Sequence, residues 1–311
     1  WKIRKNMAKG LPETVGTKVL HFRQAFHGRS GYTLSLTNTA DPRKTAYFPK
    51  FDWPRISNPK IVFPLSEHLA EVEAAEAQAL AEIEKAVAQY GDDIACLIIE
   101  PIQAEGGDNH FRPEFLKALR KLADQHDFLL IFDEVQTGLG LTGTMWAFEG
   151  LGVEPDLFSF GKKVQVGGFA ANRRIDEVPD NVFRVSSRIN STWGGNLTDM
   201  VRSTRILEII AEENLVENAR RVGAQLLAGL HQLEREFPQL LSQVRGRGLM
   251  IAFDLPNTET RKKAVEACRA EGLLLLPCGE KSIRLRPFLD LTPEDAQKGL
   301  ALLANALRRL A

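Results

Sequence analysis

The sequence has few of the features that mark secreted, membrane-spanning or nucleic-acid-binding proteins. Its three cysteines are spread over 311 residues, so no disulfide framework is expected. No apolar run is long enough to span a bilayer, and no cysteine or histidine cluster has the spacing of metal ligands. Forty basic residues balance forty acidic ones, which indicates neither a nucleic-acid nor an anionic membrane surface. The composition therefore favours a cytoplasmic protein with small-molecule ligands.

The sequence also lacks an initiating methionine, internal repeats and low-complexity segments. It begins at Trp1, inside a basic helical pattern, so we interpret the chain as a fragment without its natural N-terminus. The length is sufficient for one large domain or two smaller ones with packed cores.

Short apolar segments alternate with helical patterns, which predicts an α/β fold with a mainly parallel sheet. The run at 128–132 is too short for a typical helix and predicts a strand buried on both faces. Other strands are predicted at 18–22, 94–99, 156–160 and 168–172, and helices at 113–125 and at 65–90, the latter capped by Ser66. The stretch 38–64 is expected to be a long, ordered, functional loop.

The C-terminal third has a different element order. Nearly continuous helix is predicted at 200–236 with a break near Asn214, followed by a turn and a strand at 244–253. A helix at 260–271, two short strands near Leu274 and Ile283, and a final helix from about Thr292 complete the pattern. We therefore divide the chain into a large domain at 1–209 and a smaller α+β domain at 210–311.

Charged side chains follow two of the predicted strands. Asp133 and Glu134 end the strand at 128–132, and Lys162 and Lys163 follow the strand at 156–160. Ligands of open α/β sheets bind beyond the carboxyl ends of the strands. An acid and a lysine so placed are what a pyridoxal phosphate site requires, because the lysine bonds to the cofactor and the acid keeps the ring nitrogen protonated.

The glycine-rich segment 138–143, GLGLTG, suggests a dinucleotide-binding dehydrogenase as an alternative. That motif should open a continuous helix and be followed by an acid about 20 residues on, and neither is present in the pattern.

Six separated motifs together resemble the class-III aminotransferases of the fold-type I pyridoxal phosphate superfamily. They are FHGRSGYT at 26–33, FPKFDWP at 48–54, EPIQ at 100–103, DEVQTG at 133–138, GKK at 161–163 and IR at 283–284. Within that family the resemblance is greatest to the L-lysine 6-transaminase branch, and it covers essentially the whole chain. It implies a homodimer that uses pyridoxal 5'-phosphate to move the terminal amino group of L-lysine to 2-oxoglutarate. The products would be 2-aminoadipate 6-semialdehyde and L-glutamate. Ornithine or 4-aminobutyrate is the alternative amino donor.

The resemblance implies a role for each matching residue at the cofactor. Asp133 would pair with the pyridinium nitrogen, Gln136 would contact the phenolic oxygen, and Phe26 would stack on the ring. Lys162 would form the covalent link, with its neighbour Lys163 as the competing choice.

The resemblance also implies how the cofactor phosphate is held. Thr192 would reach across a dimer interface to the phosphate of the other subunit, and Asn190 would lie in the same wall and contact substrate. Family members also hold the phosphate with a small-residue loop at a helix N-terminus, which we expect upstream of Trp1. An inactive fragment is therefore a further alternative.

Arginine residues are the expected substrate clamps, because a planar guanidinium holds a carboxylate through two parallel hydrogen bonds. The resemblance implies Arg29 and Arg284 for this role, although Arg286 would share a strand face with Arg284. Glu105 resembles a glutamate that neutralises the second arginine while lysine is bound.

Overall fold

A six-stranded sheet forms the centre of the computed structural model, which describes residues 1–311. Its strand order is β2-β1-β3-β6-β7-β8, and a separate two-stranded ribbon pairs β4 with β5. All neighbouring strands of the central sheet are parallel except β7 and β8. The mainly parallel sheet expected from the sequence is thus confirmed. The strands of this part are β1 Lys18–Phe22, β2 Arg55–Ile56, β3 Ile94–Ile99, β4 Ile102–Gln103, β5 Asn109–His110, β6 Leu129–Asp133, β7 Leu157–Phe160 and β8 Gly168–Ala171.

Helices cover this sheet and bury its apolar side chains. They are α1 Lys2–Ala8, α2 Gly31–Leu36, α3 Leu65–Tyr90, α4 Pro113–Gln125, α5 Ala147–Leu151 and α6 Leu197–Glu212. Leu97 of β3 and Leu130 of β6 are fully buried in one cluster with Ile83 of α3 and Leu116 of α4. The cap expected at Ser66 is wrong: α3 already begins at Leu65, and its N-cap position is occupied by proline without a side-chain hydrogen bond.

A second, antiparallel sheet of order β11-β12-β10-β9 occupies the C-terminal part of the chain. Its strands are β9 Ser242–Arg247, β10 Met250–Asp254, β11 Leu276–Cys278 and β12 Ser282–Leu285, and its helices are α7 Leu215–Glu236, α8 Thr258–Ala270 and α9 Pro293–Arg308. These elements bury a second apolar cluster, to which Ile102, Ala104 and Leu141 of the first part also contribute. The boundary at 210 stays an interpretation, and residue 210 itself lies within α6.

Where the sequence predicted a turn and one strand at 244–253, the structure has a hairpin of two strands, β9 and β10. The sequence of β9 did not indicate a strand, because Arg245 interrupts its apolar pattern. In the structure this arginine is buried, and it donates to the main-chain oxygen of Asp108 at 3.0 Å and to the Asp254 carboxylate at 2.9 Å. These distant partners satisfy a charge that would otherwise be too costly to bury.

The parallel order places the carboxyl ends of β1, β3, β6 and β7 side by side. The residues that follow these ends are the ones on which the site depends: Phe26 and His27 after β1, Glu100 after β3, Asp133 at the end of β6, and Lys162 after β7. No helix is both long and apolar enough to cross a membrane.

Candidate active site

Asp133 is a buried carboxylate that three donors hold in place. His27 Nδ1 lies 2.8 Å from one carboxylate oxygen, and the other accepts from the Val135 main-chain N–H at 3.1 Å and the Ser159 hydroxyl at 3.0 Å. Burial alone would raise the pKa of this carboxyl, but the hydrogen bonds, above all that from His27, hold the pKa below its usual value. Asp133 is therefore an anion fixed at the end of β6.

His27 is the principal site residue to which the sequence gave no role. Its side chain is 1% exposed, and the Nε2 atom has no hydrogen-bond partner in the chain. Burial opposes protonation of the imidazole, yet the Asp133 carboxylate, supported by the charge of Glu100, outweighs it and raises the pKa of His27. The only sequence signal was its position beside Phe26 in a motif that otherwise supplies site residues.

Glu100 connects the ends of β1 and β3. One of its carboxyl oxygens accepts from the Phe26 main-chain N–H at 2.8 Å, and the other from the Ala104 N–H at 3.1 Å. Burial raises the pKa of Glu100 to about 8, and the charge of Asp133 contributes in the same direction. The charge of His27 and these two N–H bonds oppose the increase. Through this bridge, the backbone that carries Phe26 is tied to the segment that follows β3.

The second acid after β6, Glu134, has a structural role. It is buried, accepts from the Thr137 hydroxyl, and accepts from the Phe148 main-chain N–H at 2.9 Å in the first turn of α5. Its carboxylate therefore supports the loop and helix after Asp133. Of the two acids in the motif, only the Asp133 carboxylate is hydrogen-bonded to side chains from other strands, those of His27 after β1 and Ser159 in β7.

Two adjacent lysines differ in what their amines contact. The Lys163 amine donates to the main-chain oxygen of Gln136 at 2.7 Å, and burial lowers its pKa to about 8, with the charge of Arg286 adding to the effect. Lys162 is exposed, and its amine makes no hydrogen bond or ion pair within the chain. Its φ of 45° is unusual for a residue with a side chain and is a form of strain often found at functional sites. Only the Lys162 amine is available to a ligand.

Of the two expected carboxylate clamps, Arg284 lines a cavity of about 820 Å³ and Arg29 does not. Glu105 lines the same cavity. The Nε and Nη1 atoms of Arg284 are buried without a hydrogen-bond partner, whereas Arg286 forms an ion pair with the buried Asp108. The Nε atom of Arg286 also lacks a partner, but of these two arginines only Arg284 has no carboxylate partner in the chain.

The ion pair expected between Glu105 and Arg284 is not present in this conformation. Glu105 instead accepts from the Lys44 amine at 2.6 Å and from the Thr39 hydroxyl at 2.8 Å. Arg29 is exposed outside the lining of the cavity, and its Nε donates to the Lys44 main-chain oxygen at 3.2 Å.

The structure does not bring Asn190 and Thr192 to the Asp133 cluster within one chain. Both are exposed in the segment before α6, and neither side chain makes a hydrogen bond within the chain. Phe26 and Gln136, by contrast, are half-buried at the strand ends beside Asp133. No group of three or more His, Cys, Asp or Glu side chains could hold a metal ion.

Comparison with known proteins identifies the family. The model of the family "Aminotransferase class-III" matches residues 2–307. The chain belongs to the class-III aminotransferases. This class-III aminotransferase is 53% identical to the L-lysine-epsilon aminotransferase of Mycobacterium tuberculosis over 99% of this chain. It is 48% identical to the L-lysine-epsilon aminotransferase of Streptomyces clavuligerus over 100% of this chain. It spans 68% of the length of each of these relatives.

Two further similarities place this class-III aminotransferase among its relatives. A solved structure of lysine aminotransferase from M. tuberculosis, in the internal aldimine form, superposes with a TM-score of 0.97 at 52% identity, covering 100% of this chain and 71% of the other. The mitochondrial 4-aminobutyrate aminotransferase of Homo sapiens is more distant, at 37% identity over 97% of the chain and 59% of the relative.

The cofactor of class-III aminotransferases is pyridoxal phosphate, and the residues at the strand ends fit it. A pyridine nitrogen that must stay protonated requires an ionised acid, and Asp133 is held ionised. An aldehyde that must be held covalently requires an amine without another partner, and Lys162 provides one. The expected fold and cofactor are confirmed, whereas the roles of individual residues remain predictions.

Proposed function

We propose that this enzyme transfers the ε-amino group of L-lysine to 2-oxoglutarate. The observation that carries this proposal is the 53% identity to an L-lysine-epsilon aminotransferase over 99% of the chain. The 4-aminobutyrate aminotransferase is considerably less similar, at 37%. The unpartnered guanidinium of Arg284 beside Glu105 supports the same substrate pair, because one substrate is a dicarboxylate.

At the cofactor, each side chain has a role that follows from its surroundings. When bound, pyridoxal phosphate supplies a carbonyl that accepts the amino group and a ring that withdraws electrons from the reacting carbon. Asp133 would hold a proton on the ring nitrogen, Phe26 would contact the ring face, and Gln136 would contact the phenolic oxygen. Lys162 would hold the cofactor through Nζ and, once released, would move a proton between substrate atoms.

The two substrates pose a problem of orientation that the arginines address. L-lysine reacts at the amine far from its α-carboxylate, whereas glutamate reacts at the amine next to it. We assign the α-carboxylate of the dicarboxylate to Arg284 and that of lysine to Arg29. Glu105 would neutralise Arg284 while lysine is bound, so that lysine does not present its α-amine.

The enzyme would act as a homodimer, with Thr192 serving the phosphate site of the partner subunit and Asn190 lining the same wall. Support comes from the surface around these residues: Trp193 is 80% exposed and Leu197 82% exposed, which is unusual for large apolar side chains unless they are covered in an assembly. We also propose a cytoplasmic location, because the three cysteines are unpaired, as is typical of a reducing compartment.

A comparison of amino donors tests the proposed reaction. The cofactor-loaded enzyme is supplied with 2-oxoglutarate and with lysine, ornithine or 4-aminobutyrate in separate assays. We expect the highest kcat/KM with lysine and formation of a semialdehyde product. A higher kcat/KM with either of the other donors would contradict the assignment of lysine.

A further inference from the structure

Glu105 is held by two donors on one side of the cavity. Lys44 Nζ and Thr39 Oγ1 both approach the same carboxylate oxygen, at 2.6 and 2.8 Å. The backbone of Glu105 is also fixed, because its carbonyl oxygen accepts from the Gly279 N–H at 2.8 Å. If Glu105 changes partner, its side chain would therefore move from one set of donors to another while its backbone stays in place.

Arg284 is a second cation that lines the same cavity. The two other arginines there are occupied, because Arg43 pairs with Asp41 and Arg261 donates to the Gly279 main-chain oxygen. The Nε and Nη1 atoms of Arg284 are buried and have no partner while Glu105 is bound to Lys44. One carboxylate cannot fully neutralise two separated cations at once, so Lys44 and Arg284 compete for it. The conformation with Glu105 on Lys44 leaves Arg284 free for a substrate carboxylate.

The local structure orients Lys44 for this contact. The segment Pro42–Lys44 forms one turn of 3-10 helix that is capped by Asp41, whose carboxylate accepts from the Arg43 main-chain N–H at 3.1 Å. The main-chain oxygen of Lys44 accepts from Arg29 at 3.2 Å. The same turn thus restrains both Glu105 and the arginine assigned to the lysine carboxylate.

We propose that Lys44 is a positioning residue for substrate exchange: it holds Glu105 away from Arg284 so that Arg284 can bind the α-carboxylate of the dicarboxylate substrate. This inference rests on the proposed function for its two substrates. Removal of the Lys44 charge would return Glu105 to Arg284, which then loses affinity for the dicarboxylate. Because partly exposed ion pairs are weak, we expect an effect of roughly two- to five-fold.

The test compares Lys44→Gln with Lys44→Arg, and with Arg43→Gln as the matched control in the same turn. Arg43 is exposed and pairs only with Asp41. The measured quantities are the Kd of glutarate, a dicarboxylate that cannot donate an amino group, and the separate half-reactions with glutamate and lysine. We expect Lys44→Gln to weaken glutarate binding two- to five-fold and to lower the ratio of glutamate to lysine half-reaction rates by a similar factor. Lys44→Arg and Arg43→Gln should match the unaltered enzyme.

The same comparison in a Glu105→Gln background decides the mechanism. With no carboxylate to reposition, Lys44→Gln should have no further effect on glutarate binding. A persistent effect in that background, or equal losses in both half-reactions, would overturn the proposal. If lysine is not the donor, the unaltered enzyme will show no lysine half-reaction. The effect of Lys44→Gln on glutarate binding will still show whether Lys44 positions Glu105.

Discussion

His27 Nδ1 and Asp133 Oδ2 lie 2.8 Å apart in a buried pair at the carboxyl edge of the central sheet. The histidine follows β1 and the aspartate ends β6, with β3 between these strands. This contact explains how a carboxylate that is only 8% exposed keeps a lowered pKa. The ionised state of Asp133 therefore depends on a side chain that follows β1, a strand that does not pair with β6.

Replacement of His27 by leucine should destabilise the protein by about 1–3 kcal/mol, because a buried carboxylate loses a hydrogen bond. The raised pKa of His27 gives the sign of the pH dependence. The contribution of protonated His27 to stability is complete below its unfolded-state pKa of about 6.5. This contribution is lost as the pH rises through the higher folded-state pKa. The unfolding free energy of the unaltered protein should therefore fall towards that of His27→Leu at alkaline pH, as denaturant titrations would show.

The His27→Leu variant also shows whether His27 affects activity or only packing. Loss of His27 should raise the pKa of Asp133, so the acid limb of the pH–rate profile should move to higher pH. Asp133→Asn removes the carboxyl itself and should lower turnover at every pH. An unchanged acid limb in His27→Leu would mean that the pair does not tune the acid.

Lys162→Ala should lower turnover by at least about a hundredfold, since both the covalent link and the proton carrier are lost. Lys163→Met should retain the link, because the Lys163 amine is occupied by the main-chain oxygen of Gln136. Borohydride reduction of the cofactor-loaded enzyme and peptide mapping identify the modified lysine. Label on Lys163 would contradict the assignment.

Mixed dimers test the role assigned to Thr192. Subunits with Lys162→Ala and subunits with Thr192→Ala should each be impaired alone, but a mixed dimer would contain one site with neither substitution. Mixing the two variants should therefore restore part of the activity. No recovery, with mixed dimers demonstrated by differential tagging, would show that Thr192 does not act across an interface.

Separate half-reactions test the arginine assignments. Glu105→Ala leaves Arg284 without its neutralising partner and should impair the lysine half-reaction more than the glutamate half-reaction. Arg284→Ala removes the dicarboxylate clamp and should have the opposite effect. Single-turnover spectra with each substrate measure both, and equal losses for Glu105→Ala would exclude a switch.

Much of the α/β framework could be predicted because its signals are local. The helix Pro113–Gln125 and the strand Ile94–Ile99 were predicted with the bounds that the structure has, since each has a clear apolar period and a defined end. The hairpin β9–β10 was missed, because Arg245 is compatible with a buried strand only through its bonds to Asp254 and to the segment before β5. Such partners are set by tertiary structure.

The site was predictable to a similar extent. Their positions after predicted strands indicated Asp133 and the pair Lys162 and Lys163, and the family resemblance added Phe26 and favoured Lys162. The individual functions of these residues remain predictions. No local pattern could show that Glu105 would meet Lys44, because 61 residues separate them and the contact depends on how a long loop folds over the sheet edge. His27 was overlooked because a lone histidine after a strand carries no signal without its partner.

The most direct test of the proposed reaction follows a single nitrogen atom. The enzyme is incubated with 2-oxoglutarate and with L-lysine that carries a heavy nitrogen isotope only at the ε position, and the glutamate formed is analysed by mass spectrometry. Our account predicts that the glutamate carries the heavy isotope. Unlabelled glutamate, formed from the α-amine, would contradict it.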